Sequence, residues 1–216
     1  MSPLSSASAV ALAAILGLSS PAITDGCVPL ALAGDEELRA LYQSGRSYEA
    51  FLGAATRRAD LWESNTRDAE DIDPALVHRA RAVGGSWHFL AVAIDACSDS
   101  VSTIPYLARL VSLVEGLEMR IVDSTAGRAV MEAHPTPDGR AATPTVLLLS
   151  NDFDEAGCFI ERPPQLQTWI LENSDWSGQQ LYERKMEWYR EDGGQATVEA
   201  FVEMLEAAGR GETVCR

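Results

Sequence analysis

Residues 87–101 read W-H-F-L-A-V-A-I-D-A-C-S-D-S-V. Trp87 to Ile94 is an apolar run of strand length, and its lack of polar alternation marks a strand buried on both faces. From Val101 to Glu115 the apolar residues Ile104, Leu107, Leu110, Val111 and Val114 recur at helical spacing. Cys97-Ser98-Asp99-Ser100 therefore sits where a buried strand gives way to a helix. A cysteine there faces the unpaired N–H groups of the first turn and the positive end of the helix dipole. Both favour negative charge on sulfur, which makes Cys97 a candidate nucleophile and a candidate redox site. The competing reading is a small buried hydrophobe, a frequent fate of an isolated cysteine.

Upstream, Asp35 to Gly45 reads as a short helix with acidic residues first and a glycine stop. Ser47 to Trp62 continues helical, with Phe51, Leu52, Ala55 and Ala59 along one face, and the acidic stretch Thr66 to Asp73 reads as a loop. Pro74 opens a helix through Ala82, closed by Gly84-Gly85. Downstream, Leu117 to Val122 alternates as a second strand and Thr125 to Ala133 is a short helix, stopped by the turn residues His134 to Gly139. Pro144 to Leu149 and Glu155 to Ile160 are a third and fourth strand joined at Asn151-Asp152, and Pro163 to Leu171 is a closing helix. The order β-α-β-α-β-β-α is strand–helix alternation ending in a hairpin, an α/β pattern. The chain divides into an N-terminal extension (1–34), N-terminal helices (35–85), a core (86–173) and a helical tail (174–216).

With 216 residues and 46% hydrophobic content, one sizeable core is expected rather than two domains or disorder. The net charge of −15 opposes nucleic acid and anionic membrane surfaces alike. Lys185 is the single lysine; arginine supplies the other positive charges. Cys27, Cys97, Cys158 and Cys215 are too far apart for a zinc motif and too sparse for a disulfide framework, and His78, His88 and His134 are equally scattered. No metal and no cofactor is expected. Ala9 to Leu18 is an apolar run followed by Ser20-Pro21-Ala22, a small-residue stretch of cleavage-site type. No Lys or Arg precedes that run, which favours a cytoplasmic location, with export as the alternative.

At this point the residues resemble the thioredoxin-like superfamily. Cys97 follows the first core strand, Pro105 stands where a thioredoxin helix carries its kink proline, and Thr143-Pro144 opens the third core strand. A narrower resemblance is to a bacterial thioredoxin branch whose active-site stretch reads W-C-G-D-S. Here it reads Ala96-Cys97-Ser98-Asp99-Ser100, with Glu161-Arg162-Pro163-Pro164 for a later P-R-P turn and Trp188-Tyr189 in a tail helix. Ala96 replaces the tryptophan that flanks the thiol, and Ser98 replaces glycine. The resemblance implies a thioredoxin-like α/β fold: a central mixed sheet flanked by helices, with an N-terminal helical extension and a C-terminal tail helix. It also implies a cis bond before Pro144, opposite the cysteine.

The expected activity is thiol–disulfide exchange, with Cys97 forming a mixed disulfide. The position of a second, resolving cysteine is Ser100, so resolution falls to an external or remote thiol. The Ser100 hydroxyl is expected to donate to the thiolate or to cap the helix. Asp99 suits the helix start electrostatically, and as a carboxylate beside sulfur it could relay a proton, though its charge would oppose the thiolate. Ser98, Thr143 and Pro144 are the expected substrate platform, the Thr143 backbone pairing with an extended chain. Cys158 is expected to pack in the core, while Cys27 and Cys215 lie near the ends. Arg162 reads as a surface pairing residue, and Trp188 and Tyr189 as packing residues. The expected partner is a protein or a low-molecular-weight thiol or disulfide; oligomeric state is left open. The alternative function is a redox-inactive thioredoxin-fold module that binds a peptide on the same face. A peroxide-reducing enzyme is disfavoured because T-x-x-C is absent around Cys97.

Overall fold

The computed structural model describes residues 35–216. The Ala9–Leu18 run, the cleavage-site reading and Cys27 lie outside the described residues. The described residues begin with α1 (Asp35–Ser44), α2 (Tyr48–Ala54) and α3 (Ala59–Asp68), a 3-10 turn (Ala69–Asp71), and α4 (Pro74–Val83). The core follows as β1 (Trp87–Val92), α5 (Ser98–Leu113), β2 (Leu117–Val122), α6 (Arg128–Ala133), β3 (Thr145–Leu149) and β4 (Glu155–Ile160). It closes with α7 (Pro164–Glu172), α8 (Gly178–Asp192), α9 (Gln195–Gly209) and β5 (Val214–Cys215).

The five strands form one sheet in the order β2-β1-β3-β4-β5. β1 runs parallel to β2 and antiparallel to β3, β3 and β4 form an antiparallel hairpin, and β5 lies parallel to β4. This is the mixed-sheet α/β architecture of the thioredoxin-like fold. Helices cover both faces, so the central strands are apolar at successive positions rather than alternating. Phe89 and Ala91 of β1, with Val146 and Leu148 of β3, face the layer that holds Ile104, Leu107, Trp62 and Phe201. Leu90, Val92, Leu147 and Leu149 face the opposite layer, which holds Leu38, Tyr42, Val130 and Phe153.

Several elements differ from the sequence reading. The helix expected over Ser47–Trp62 is two helices, because Asp95 accepts the N–H groups of Thr56 and Arg57 at 2.8 and 2.9 Å and turns the chain there. The acidic stretch read as a loop from Thr66 is the end of α3 and the 3-10 turn, with Thr66 Oγ1 donating to the Trp62 carbonyl at 2.7 Å. β1 ends at Val92 and α6 begins at Arg128, after Asp123 has accepted the Thr125 and Ala126 N–H groups. The tail is two helices and a strand. Gly194, at φ +80°, makes the joint between α8 and α9, where a Cβ would stand 2.2 Å from the Tyr106 ring. α9 is buried along Val198, Phe201, Val202 and Leu205, and β5 covers the outer edge of β4.

Cys158 packs in the core as expected, but the reading of the cysteines as too sparse for disulfides is corrected. Cys158 and Cys215 form a disulfide across the β4–β5 pair, at a sequence separation of 57. The two residues are register partners on neighbouring strands, a proximity that spacing along the chain does not reveal. No helix among the described residues is long and apolar enough to cross a membrane.

Candidate functional site

Cys97 is the N-cap of α5, with extended backbone angles of φ −77° and ψ 127°. Its Sγ accepts the Ser100 N–H at 3.5 Å, the place an oxygen-bearing cap normally fills. On its other side Sγ donates to the Thr143 carbonyl at 3.0 Å. The Thr143–Pro144 peptide bond is cis. The Thr143 N–H has no acceptor among the described residues. Cys97 is half-buried and is the free cysteine of the described residues, since Cys158 and Cys215 are bonded to each other. Neither of those two is a thiol that could resolve a bond made at Cys97.

Ser100 differs from its expected role. Its hydroxyl is fully buried and has no hydrogen-bond partner, so its backbone N–H, not its Oγ, meets the sulfur. Ser98 is buried as well and accepts from the Lys185 ammonium at 3.0 Å. That contact turns the Ser98 hydroxyl inward, away from the substrate platform on which the sequence reading set it.

Asp99 does more than sit at a helix start. It is 4% exposed and lies at the centre of a buried set of donors. Lys185 donates to Oδ2 at 2.6 Å, Tyr189 donates to Oδ1 at 2.8 Å, and Arg162 Nε stands 3.5 Å from Oδ1. Burial, with the neighbouring Asp99 charge, pushes the Tyr189 phenol well above its ordinary range, so it remains a donor. Arg162, expected on the surface, is buried and also pairs with Glu161. The Glu161 N–H in turn donates to the Pro144 carbonyl at 2.7 Å, tying this charged set to the cis-proline turn.

Sequence reasoning missed Lys185, Tyr189 and Glu161 as members of the site and misplaced Arg162. One signal for the tail was available: Tyr182, Lys185 and Tyr189 fall at intervals of three and four, on one helix face. Among the described residues, no group of three or more His, Cys, Asp and Glu stands together to hold a metal ion. A groove of about 830 Å³ between α2, α5 and β2 is lined by Tyr48, Leu52, Pro105 and Met119 and includes none of the residues around Cys97. Its lining holds no cysteine, whereas Cys97 is a half-buried thiol at a helix N-terminus, so the chemistry argues for the Cys97 turn as the functional site.

A mixed sheet with a cysteine at the N-terminus of the helix after β1, facing a cis-proline turn, defines a protein of the thioredoxin-like class. The thioredoxin family model matches residues 45–180. The chain belongs to the thioredoxin family. No curated protein matches it. Among solved structures it is similar to a protein of unknown function from Pseudomonas aeruginosa, at 20% identity and a TM-score of 0.56, covering 78% of this chain and 96% of that one. It is also similar to an HIV epitope-scaffold, at 20% identity and a TM-score of 0.59, covering 78% of this chain and 97% of that one. At these identities the two likenesses establish the fold.

Proposed function

We propose that the chain is a single-cysteine thiol–disulfide oxidoreductase. The observation that carries this reading is the placement of Cys97 Sγ, between the Ser100 N–H of α5 and the Thr143 carbonyl of the cis-proline turn. The helix end favours negative charge on sulfur, and the half-burial leaves it within reach of a disulfide. In the first step Cys97 gives up its thiol proton to solvent, and the thiolate attacks one sulfur of a disulfide. A new S–S bond forms, the old one breaks, and the leaving thiolate takes the electron pair and then a proton from solvent. In the second step another thiolate attacks the mixed disulfide and releases Cys97; it comes from an external thiol or from Cys27, since Ser100 cannot serve and Cys158 and Cys215 are paired. Ser98, Ser100 and Asp99 shape and hold the turn; Thr143 and Pro144 present the backbone to the substrate.

The test is the reduction of a neutral disulfide, bis(2-hydroxyethyl) disulfide, by an external thiol, with mass mapping of the protein adduct. The full chain is expected to accelerate the reaction and to carry the adduct at Cys97, and Cys97→Ser is expected to fall to the uncatalysed rate. An unchanged rate in that variant would sink the proposal.

A binding module with an inert thiol is the second reading. It draws on the Thr143 N–H, which has no acceptor among the described residues and which a partner strand could use. Slow, ordinary alkylation of Cys97 together with peptide binding would select it. For location, the Cys158–Cys215 disulfide favours an oxidising compartment, the exported alternative over the cytoplasmic one. The same mass map on chain alkylated as the producing cells are opened reads this: Cys158 and Cys215 should be unmodified, and their alkylation would favour the cytoplasm.

A further inference from the structure

The exposed flank of the Cys97 turn is occupied by an arginine. Arg58 donates from Nε to the Ala96 carbonyl at 2.6 Å and from Nη1 to the Tyr182 hydroxyl at 2.9 Å. Its Cζ lies 5.7 Å from the centroid of the Tyr182 ring. The Arg58 backbone is left-handed, at φ +55°, and the preceding turn is tied to the Cys97 loop through Asp95. Ala96 itself is exposed and too small to cover this side of the sulfur. These contacts fix the guanidinium beside the residue that precedes the thiol, so little freedom remains to be lost on binding a ligand.

Two consecutive arginines, Arg57 and Arg58, stand on this flank of an acidic chain. Basic residues number 17 against 32 acidic ones. Yet neither Arg57 nor Arg58 forms an ion pair among the described residues. Arg58 Nη2 makes no hydrogen bond among them either, and a guanidinium edge is well shaped for a carboxylate. Asp95 accepts the backbone N–H groups of Thr56 and Arg57 and offsets part of the attraction.

We propose that Arg58, with Arg57 beside it, is a specificity-determining residue that selects small disulfides bearing carboxylates. The carboxylate rests on the Arg58 guanidinium while one disulfide sulfur meets Cys97 Sγ. This rests on the oxidoreductase reading above. The chemical step is the same exchange: Sγ bonds to the near sulfur, and the far half leaves as a thiolate with the electron pair and is protonated by solvent.

Three disulfides of similar size test it: 3,3′-dithiodipropionate as the dianion, bis(2-hydroxyethyl) disulfide as the neutral reference, and cystamine as the dication. Rates of adduct formation at Cys97 in the full chain are divided by the rates for 2-mercaptoethanol with the same disulfides, which removes intrinsic reactivity. The wild-type ratio of anionic to neutral rates is expected to exceed one, with cystamine slowest. Arg58→Gln is expected to lower that ratio about fivefold, the factor expected for losing one close charge contact in water. Arg58→Lys is expected to keep most of it, and added salt to shrink it. A preference for cystamine, a ratio unchanged in Arg58→Gln, or an equal loss in Arg58→Lys would each overturn the proposal. No adduct at Cys97 from any of the three, including the neutral one, would overturn the oxidoreductase reading itself.

Discussion

Removing Lys185 would leave the Asp99 carboxylate in the interior with one phenol and an offset guanidinium as partners. The two charged ends are 2.6 Å apart, and both side chains are nearly inaccessible. Breaking such a pair from one side typically costs about 3–5 kcal/mol, because the surviving charge has lost both water and partner. Arg162 and Tyr189 still face Asp99, so Lys185→Met is expected to cost about 3 kcal/mol in urea unfolding. Adding Asp99→Asn should recover part of that loss, a non-additivity of about 1 kcal/mol or more. A loss below about 0.5 kcal/mol for the single variant would mean the pair is screened by water and the argument fails. The sequence named Cys97 and Asp99 because both are local features of one strand–helix turn. It did not name their partners, because 86 residues separate Asp99 from Lys185 and only the docking of the tail joins them. The unpartnered hydroxyl of Ser100 was equally illegible, since which atom of a residue meets a neighbour is settled by packing.

The joint between α6 and β4 is set by one histidine. His134 Nδ1 lies 2.8 Å from the Val130 carbonyl and Nε2 lies 2.9 Å from Glu155 Oε1. Both neighbours are acceptors, so the imidazolium, with two N–H groups, satisfies both where a neutral ring satisfies one. The bond to Glu155 raises the His134 pKa, burial opposes it, and the Val130 carbonyl adds to the rise. A group whose folded pKa is raised stabilises the fold fully below its unfolded value of about 6.5, and the contribution is lost as pH rises through the folded value. Wild type should therefore exceed His134→Gln by about 1–2 kcal/mol near pH 5, and the gap should narrow through and above neutrality. Thermal unfolding from pH 5 to 9 checks this; a gap that widens with pH would reverse the assignment. The elements themselves were legible where a run was long and its period clear, as in β1, α5 and the β3–β4 hairpin. The boundaries that moved did so where side chains capture backbone N–H groups: Asp95 splitting α2 from α3, and Asp123 delaying α6.

Closure of the whole molecule depends on the tail. α9 buries its apolar side against the sheet and α4, and β5 then returns to β4 as the final strand. Two residues of strand give little hold by themselves. The Arg216 N–H donates to the Cys158 carbonyl, the Ile160 N–H donates to the Arg216 carbonyl, and the Cys158–Cys215 disulfide joins the same pair of strands. No composition or period predicts this, because a two-residue strand carries no pattern and a disulfide partner is fixed only by register. A crosslink closing a loop of 57 residues restricts the unfolded chain by about 4 kcal/mol in the chain-entropy account. Replacing both cysteines, Cys158→Ala with Cys215→Ser, avoids a free thiol and isolates that constraint, although the Ala also trims one buried side chain. The variant is expected to unfold about 3–4 kcal/mol more easily in urea. Much of that loss lies in the unfolded state, so hydrogen exchange under native conditions should show the first new opening at β5 and the β4 edge. The α5 turn that carries Cys97 should keep its protection, because the donors that hold Asp99 come from α8 and from Arg162, not from the last strand. If the Cys97 turn opened together with β5, the tail and the site would be one cooperative unit, and the reading of β5 as a separate closure would be wrong.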